Sequence, residues 1–361
     1  MANALSSPFH VAKRTEIPSG KAALYRLLAV CLALVTGGLF IWALGLNPFA
    51  VYGTMISGST GTISSFRETV KIAIPLCITS LAVTLAFKMR FWNIGAEGQI
   101  CIGAVAASFF AINCTSWPQL PLLLTMAAAG MLAGAVWGLI PAYFKAKHNT
   151  NETLFTLMMN YVALYVIQIL REGPWKDPMS GFPKVPMFDK IARIPSVFGI
   201  HIGWIVALVL VAAVYVYLNY TKQGYELSVV GENERTASYA GMRVSRIIMR
   251  TMGISAALCG LVGMLQASGA DKTLTDTVAG GVGFTAITVA WLSQLNPLGI
   301  LVTSVLFAIL EKGSGTVQSL FQISPAASEV LQGIILFFVL GAEFFVNYQL
   351  LRNVKGGARH A

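Results

Sequence analysis

Charge is scarce in this 361-residue sequence, since Asp, Glu, Lys and Arg make up 11% of it, against about a quarter in ordinary globular domains. Hydrophobic residues make up 56%, and the mean hydropathy is +0.69. This composition excludes an ordinary water-soluble domain. Apolar runs recur at about the 20 residues that a helix needs to cross a bilayer, and they are too continuous for a β-barrel. We therefore predict an all-α, polytopic membrane protein.

Several common site patterns are also missing. The five cysteines form neither a disulfide framework nor a CxxC metal pair. There is no GxxxxGK[ST] phosphate-binding loop, no HExxH pair and no GxSxG elbow, and the four histidines are far apart. We expect no catalytic residue, no metal site and no cofactor bound by this chain. The net charge of +10 is dispersed over short loops, so we expect no nucleic acid partner.

The apolar runs predict about ten transmembrane helices in a domain at 24–350. The first run is too long for a signal-peptide core and lacks a small-residue cleavage site, so we predict that it is retained. The predicted spans lie at 24–46, 69–87, 94–113, 120–143, 153–170, 201–219, 247–269, 278–293, 297–312 and 328–350. The other segments are an N-terminal tail at 1–23, loops at 171–200 and 220–246, and a C-terminal tail at 351–361.

The positions of Lys and Arg indicate the orientation. Placing the N-terminus in the cytoplasm puts most of the 25 basic residues on the cytoplasmic side, as the positive-inside rule requires. Both termini and the loop at 220–246 are then cytoplasmic. The loop at 171–200 is then extracytoplasmic, and its prolines and mixed charge suit either a receptor-docking surface or a plain connection.

The stretch Asn93-Ile-Gly-Ala-Glu-Gly-Gln99 places a carboxylate, two amides and two glycines between apolar runs. Polar groups at that depth must face a cavity, another helix or a solute path, because leaving them unsatisfied among lipid chains is costly. Gly95 and Gly98 permit either a close helix approach or a broken helix with free amides. Glu97 is either a structural lock on a neighbouring helix or part of the path.

Glycine patterns recur elsewhere. Gly95 to Gly98 is echoed by Gly280 to Gly283, each followed by an apolar run. The echo indicates either an inverted repeat of five helices or a chance similarity between glycine-rich helix starts. A second pattern, glycine at every fourth residue from 130 to 138, predicts a close helix crossing, as do Gly260 and Gly263.

The predicted cytoplasmic loop contains Gly231-Glu-Asn-Glu-Arg-Thr-Ala-Ser-Tyr-Ala-Gly241. Ala237, Ala240 and Gly241 give a small-residue helical face that is narrow enough to enter a partner's groove. By composition alone, a generic solvated loop explains the segment equally well.

These motifs, with Gly281-Val-Gly-Phe284 leading to Asn296-Pro-Leu-Gly299, resemble the inner-membrane permeases of bacterial ABC importers for nucleosides and simple sugars, the branched-chain amino acid and ribose type. The likeness runs in the same order across most of the chain. Trp291 and Ser293 depart from it, because we expect a more aliphatic or glycine-containing stretch there.

The resemblance implies a multi-pass permease of the bacterial inner membrane that imports a nucleoside or related small polar solute by ATP-driven alternating access. It implies four partners: a cytoplasmic ABC ATPase that holds ATP and Mg²⁺, a second permease that is similar or identical, an extracytoplasmic solute-binding protein, and membrane lipid. The ATPase-coupling candidates are Gly231, Glu232, Asn233, Arg235, Ala237 and Gly241.

The sequence also supplies candidates for the solute path. They are polar or aromatic residues within predicted spans or, for Asn93, at the start of one: Asn93, Gln99, Asn160, Gln266 and Phe284. Gly95, Glu97 and Gly98 are structural or gating candidates. A simple-sugar permease is the first alternative. An ion-coupled secondary transporter is the second, although acidic residues other than Glu97, such as Glu311, lie near the predicted span ends.

Overall fold

The computed structural model describes residues 9–13 and 19–352 of the chain. In this part of the chain helices predominate, and the strands form two short antiparallel pairs. They are β1 Phe9–Lys13 with β4 Tyr348–Arg352, and β2 Ser196–Val197 with β3 Ile200–His201. The prediction of an all-α, polytopic membrane protein is confirmed.

Thirteen α-helices occur within the described residues. They are α1 Ser19–Ala43, α2 Pro48–Thr60, α3 Ile63–Lys88, α4 Ala96–Asn113, α5 Gln119–His148, α6 Glu152–Glu172, α7 Gly203–Tyr220, α8 Lys222–Glu232, α9 Glu234–Tyr239, α10 Val244–Leu265, α11 Val282–Leu292, α12 Pro297–Phe321 and α13 Pro325–Asn347. A short 3-10 helix spans Lys190–Ala192, and a π-helical turn, Gln266–Ala270, continues α10.

Eight helices of the described chain are long and apolar enough to cross a membrane, and α1 with α2 forms a bent pair that makes a ninth if counted as one span. The predicted span at 278–293 is different, because it contains only the 11 residues of α11. Such a helix is about 17 Å long, roughly half the hydrocarbon thickness. Hydropathy did not reveal the break, which falls at Gly280 and Gly281, both with positive φ.

Two further boundaries differ from the sequence prediction. The helix α2 was not predicted; it starts at Pro48, where the Asn47 side chain accepts a hydrogen bond from the Phe49 amide at 3.0 Å. The helix α12 continues past the predicted end at 312 to Phe321. Glu311 therefore lies within a helix and not at a span end.

Contacts divide the chain into two compact units, residues 1–61 with 310–361 and residues 62–309. In the first unit, α1, α2, the end of α12 and α13 surround an apolar core. Its buried members are Ile41, Val51, Met55, Val317 and Leu331.

The second unit is built around α3 and a junction of α4, α5 and α10. The backbones of these three helices touch where glycines face each other. A Cβ at Gly260 of α10 would collide with the carbonyl oxygen of Gly130, and a Cβ at Gly103 of α4 would collide with Gly260. The predicted close crossing of glycine-bearing helices is therefore confirmed.

The second unit has two distinct ends. At one, Gly231 of α8 lies against the carbonyl oxygen of Lys88, the last residue of α3, and we call this the Lys88 end. At the other, Gly199 lies against the side chain of Arg67 near the start of α3, and we call this the His201 end. The two loops that sequence analysis placed on opposite sides, 171–200 and 220–246, thus lie at opposite ends of α3.

The loop at the His201 end is tied to the segment that precedes α11. The amide of Phe188 donates to the carbonyl oxygen of Lys272 at 2.9 Å, and Arg171 at the end of α6 forms a 2.7 Å salt bridge with Asp276. Residues 271–281 therefore start at the His201 end and lead inward to α11.

We expect Gly260→Ala to destabilise the protein by about 2 kcal/mol, because the added methyl group meets backbone atoms that cannot move aside. Gly253→Ala on the same helix is the control, since its methyl group would make an ordinary 3.6 Å contact with Leu139. Thermal unfolding in detergent measures both variants. Equal melting temperatures for the two would contradict the packing described for this junction.

Candidate functional site

Glu97, in the first turn of α4, holds the first turn of α11. Its Oε1 accepts a hydrogen bond from the Gly281 amide at 2.7 Å, and its Oε2 accepts one from the Gly283 amide at 2.8 Å. The first amides of a helix lack partners within the helix and carry partial positive charge. A buried carboxylate satisfies both needs, with hydrogen bonds strengthened by its charge. Glu97 is 6% exposed and therefore caps α11 from a distant part of the chain.

Glycine is required on the α11 side of this contact. Gly281 has φ of +79°, a conformation that other residues rarely adopt. At Gly283, a Cβ would collide with the backbone nitrogen of Glu97. The two glycine motifs that resemble each other in sequence, 95–98 and 280–283, therefore meet in space.

Asn93 and Gln99 form a buried amide pair that closes the segment before α4. Asn93 Nδ2 donates to Gln99 Oε1 at 3.3 Å, and Gln99 Nε2 donates to Asn93 Oδ1 at 3.1 Å. The same Asn93 oxygen accepts a hydrogen bond from the Gly95 amide at 3.1 Å. Both side chains are at most 1% exposed. The pair thus fixes the entry of the chain into α4.

Asn160 and Thr156 of α6 hold the start of α4 from the other side. Asn160 Oδ1 accepts from the Gly98 amide at 2.8 Å, and its Nδ2 donates to the Ile94 carbonyl oxygen at 2.9 Å. Thr156 Oγ1 accepts from the Ile94 amide at 3.2 Å. Asn160 lies two turns into α6, about 12 Å from the start of that helix at the rise of an α-helix. This polar cluster therefore lies at membrane depth.

The five residues predicted to line a solute path separate into two groups. Asn93, Gln99 and Asn160 are buried, and their amides are engaged with the chain itself. Phe284 on α11 is 45% exposed, and Gln266 begins the π-helical turn with its Oε1 buried and unpaired among the described residues. The assignment of all five to the path stays a prediction.

The sequence left two roles open for Glu97, a structural contact with a neighbouring helix or a residue of the solute path. In the structure both of its carboxylate oxygens accept hydrogen bonds from α11, which is a structural contact. Gly95 and Gly98 permit the close approach of α6, since a Cβ at Gly98 would lie 2.9 Å from Asn160 Oδ1. Thr156 was not singled out from sequence. The signal available was its spacing of four from Asn160 on a span, which places both on one face of α6.

The predicted cytoplasmic loop at 220–246 contains α8 and α9, which are separated by Asn233, and we call residues 222–241 the coupling segment. The Asn233 side chain accepts hydrogen bonds from the amides of Arg235 and Thr236 at 2.9 and 3.2 Å, and so caps α9. Ala237 is fully buried and fixes α9 to the chain, whereas Tyr239 is 93% exposed.

Other contacts hold the coupling segment to the long helices. Glu226 of α8 forms a 3.1 Å salt bridge with Arg250 of α10, and Gly231 packs on the end of α3. The segment ends at Gly241, whose φ is +80°. Its exposed side chains, which include Glu232 and Arg235, are therefore presented on a firmly attached support.

Three aromatic rings cluster at the Lys88 end. The ring centroids of Phe87 and Trp92 are 5.2 Å apart, and Trp291 lies 5.7 Å from each of them. Phe87 is buried, whereas Trp92 and Trp291 are close to half exposed. Sequence analysis marked Trp291 only as a departure from a family pattern, and Trp92 was not a site candidate.

His201 is buried at the opposite end of the unit. The side chain is 3% exposed, and neither ring nitrogen has a hydrogen-bond partner in the described part of the chain. Burial, assisted by the positive charge of Lys71, lowers the pKa of His201 to about 4. The imidazole is therefore neutral near pH 7.

Comparison with known proteins gives one family and several full-length relatives. The model of the branched-chain amino acid transport system permease component matches residues 65–340. A glucose ABC transporter permease of Haloferax volcanii is 31% identical, over 93% of this chain and 92% of that protein. A guanosine ABC transporter permease of Bacillus subtilis is 30% identical, over 92% and 97%. A nucleoside ABC transporter permease of Lactococcus lactis is 26% identical, over 91% and 93%.

We expect Glu97→Ala to loosen the start of α11, because the amides of Gly281 and Gly283 lose their acceptor at a cost of about 2 kcal/mol each. Hydrogen–deuterium exchange of a peptide covering 278–286 should become faster. Glu152→Ala is the control, since it removes another buried carboxylate, paired with Lys145 at 3.0 Å. Unchanged exchange in the Glu97 variant would show that the carboxylate does not hold α11.

We expect stability to fall on acidification because of His201. Its pKa in the folded protein, about 4, lies below the usual 6.5, so between these values the unfolded chain takes up a proton that the folded chain refuses. The loss grows as pH falls and reaches about 3 kcal/mol by pH 4. The His201→Gln variant should lose less stability between neutral pH and pH 4. His148→Gln, at an exposed site, should behave as wild type, and a His201→Gln profile equal to wild type would contradict the expectation.

Proposed function

The chain belongs to the family of branched-chain amino acid transport system permease components, and we propose that it imports a nucleoside or related small polar solute as the permease subunit of an ABC importer. The observation that carries the proposal is the full-length likeness to a guanosine permease and a glucose permease, each at least 30% identical. A simple sugar is the second candidate solute, because the glucose permease is as similar as the guanosine permease. The chain itself is a transport subunit and not an enzyme.

The surroundings of α11 support a solute path beside this helix. Residues 271–281 lead from the His201 end to α11 without regular structure, and backbone groups outside a regular helix cannot face lipid. Non-helical backbone at membrane depth is tolerated where it is buried in protein or lines an aqueous cavity. We therefore place the path along the open face of α11, which carries the exposed Phe284.

The Lys88 end is assigned to the cytoplasm. Basic side chains gather there, in agreement with the positive-inside rule, whereas the loop at the other end carries both signs of charge. This assignment puts the coupling segment in the cytoplasm, and the distribution of Lys and Arg along the sequence supports the same side for both termini. The basic residues at this end include Lys88, Arg90, Lys145, Lys147, Lys222, Arg235, Arg243 and Arg246.

The partners follow from what the chain has and what its sequence lacks. It contains no phosphate-binding loop, so ATP and Mg²⁺ are held by a separate ATPase. The exposed side of α8 and α9, with Tyr239 at its tip, is the surface we assign to that ATPase. A second permease, identical or similar, completes the path. At the His201 end, the exposed Met179, Phe182 and Phe198 are assigned to the solute-binding protein.

The mechanism then runs from the coupling segment to the path. When the ATPases close on ATP, they move α8 and α9, and the contact of Gly231 with Lys88 passes this movement to the end of α3. The hydrogen bonds from Gly281 and Gly283 to Glu97 make α11 move together with α4. Alternating access is therefore a rearrangement of preformed helix groups, and the solute gains no energy from the permease itself.

Reconstitution into proteoliposomes tests the proposed function. We expect uptake of a nucleoside only when the ATPase, the second permease, the binding protein and ATP are all present. The assay compares radiolabelled guanosine with radiolabelled glucose, because two relatives are named as permeases for these solutes. Uptake by the permease alone, driven by an imposed proton or sodium gradient, would support the ion-coupled alternative and refute the proposal.

Tyr239→Ala should weaken ATPase association at least tenfold, because it removes the most exposed large side chain of the coupling segment. Tyr161→Ala is the control: Tyr161 is 55% exposed on α6, away from that segment. Co-purification with the ATPase measures both variants. Normal association of the Tyr239 variant would remove this surface from the coupling interface.

A further inference from the structure

We propose that Trp92 and Trp291 form a stacking site for the planar ring of the solute, at the cytoplasmic exit of the path. The inference deepens the proposed function and rests on it, because it assigns the solute class, a nucleoside with a flat base, to named side chains.

The first observation is the arrangement of the rings. Trp92 and Trp291 are stacked, with centroids 5.7 Å apart and an angle of 29° between their planes. The Phe87 ring is tilted against both indoles and is 5% exposed, whereas Trp92 is 45% exposed and Trp291 is 43% exposed. One buried ring therefore contacts two large rings that are each more than two-fifths exposed.

The second observation is the position of the pair. Phe87 is next to the last residue of α3, and Trp291 is in the last turn of α11. The pair therefore lies at the Lys88 end, where a path along α11 leaves the membrane. Phe284 and Thr288 precede Trp291 by about two turns and one turn of α11. A solute that follows this helix reaches Trp291 last.

The third observation is the spacing. A ring inserted between two others needs about 7 Å between them, since stacked rings approach to about 3.5 Å. The centroid separation of 5.7 Å leaves no room for that. In this conformation a base must therefore stack on an outer indole face, and the pair closes the space between α11 and the segment before α4.

The pair is also mechanically linked to the surface assigned to the ATPase. Gly231 of α8 packs on the carbonyl oxygen of Lys88, which follows Phe87 directly. A shift of α8 moves the end of α3, and with it the ring that supports both tryptophans. Release of the stacked solute is thereby tied to the nucleotide state of the ATPase.

The alternative role for these tryptophans is that of membrane anchors, because tryptophan is common at the level of lipid headgroups. The two roles differ in what they recognise. An anchor affects stability and not solute choice, whereas a stacking site discriminates in favour of solutes with an aromatic ring. Stacking of a base on an aromatic side chain has an effect on affinity of about tenfold.

The test uses the complete reconstituted transporter with Trp291→Leu, Trp92→Leu and Trp291→Phe. We expect each leucine variant to raise the KM for guanosine about tenfold. Trp291→Phe keeps an aromatic ring, so its KM should stay close to that of the wild type. Guanosine should also quench the tryptophan fluorescence of the wild-type permease, and the quenching should fall in Trp291→Phe. Trp42→Leu, at a 71% exposed site on α1, is the matched control and should leave the KM unchanged.

Two other results would overturn the stacking site. Wild-type transport of glucose with no transport of guanosine would overturn the stacking site while leaving the importer assignment intact. An unchanged guanosine KM in Trp291→Leu and Trp92→Leu, together with altered stability, would show that the two tryptophans are membrane anchors and do not stack on the solute. If the leucine variants do not assemble, the fluorescence of Trp291→Phe still tests the stacking site. A loss of quenching in this variant is expected only where the base touches the indole ring, and unchanged quenching would overturn the proposal.

Discussion

The hydrogen bonds between the Glu97 carboxylate and the amides of Gly281 and Gly283 are the constraint on which the second unit depends. The first amides of α11 have no acceptor within their own helix, and those of Gly281 and Gly283 are directed at the second unit's interior. A carboxylate from α4 supplies the acceptors, and glycine at 283 allows the two backbones to approach. Without this contact, α11 would leave polar groups unsatisfied at a depth where each is costly. The contact therefore makes the broken span possible.

The polar residues around Glu97 likewise satisfy backbone groups at the start of α4. Asn160 and Thr156 satisfy backbone groups of the Asn93–Gly98 stretch, and the glycine contacts of α5 and α10 hold α4 from the other side. The result is a rigid core at the Lys88 end, flanked by the coupling segment. The proposed mechanism needs such a core, because a movement of α8 caused by the ATPase must be transmitted through packed helices to the solute path. In the proposed mechanism, the open face of α11 is the part of this core that meets the solute.

The sequence predicted the membrane class, the close helix crossing and the family because these depend on composition and local patterns. It did not predict the short α11, because hydropathy averages over a window and does not register a turn at Gly280 and Gly281. It also left Glu97 between two readings. The partners of that carboxylate are 184 and 186 residues away in sequence, and no local spacing reveals such a pair. Asn160 was selected because it is a polar residue in a predicted span. Its contact with Gly98, 62 residues away in sequence, could be seen only in the folded structure.

The most direct test of the central claim is structure determination of the assembled transporter without nucleotide and with ATP bound. The account predicts that Glu97 remains within hydrogen-bond distance of the Gly281 and Gly283 amides in both states, while the coupling segment and the path rearrange around them. Separation of α11 from α4 in either state, with the carboxylate turned to water or to the solute, would contradict it.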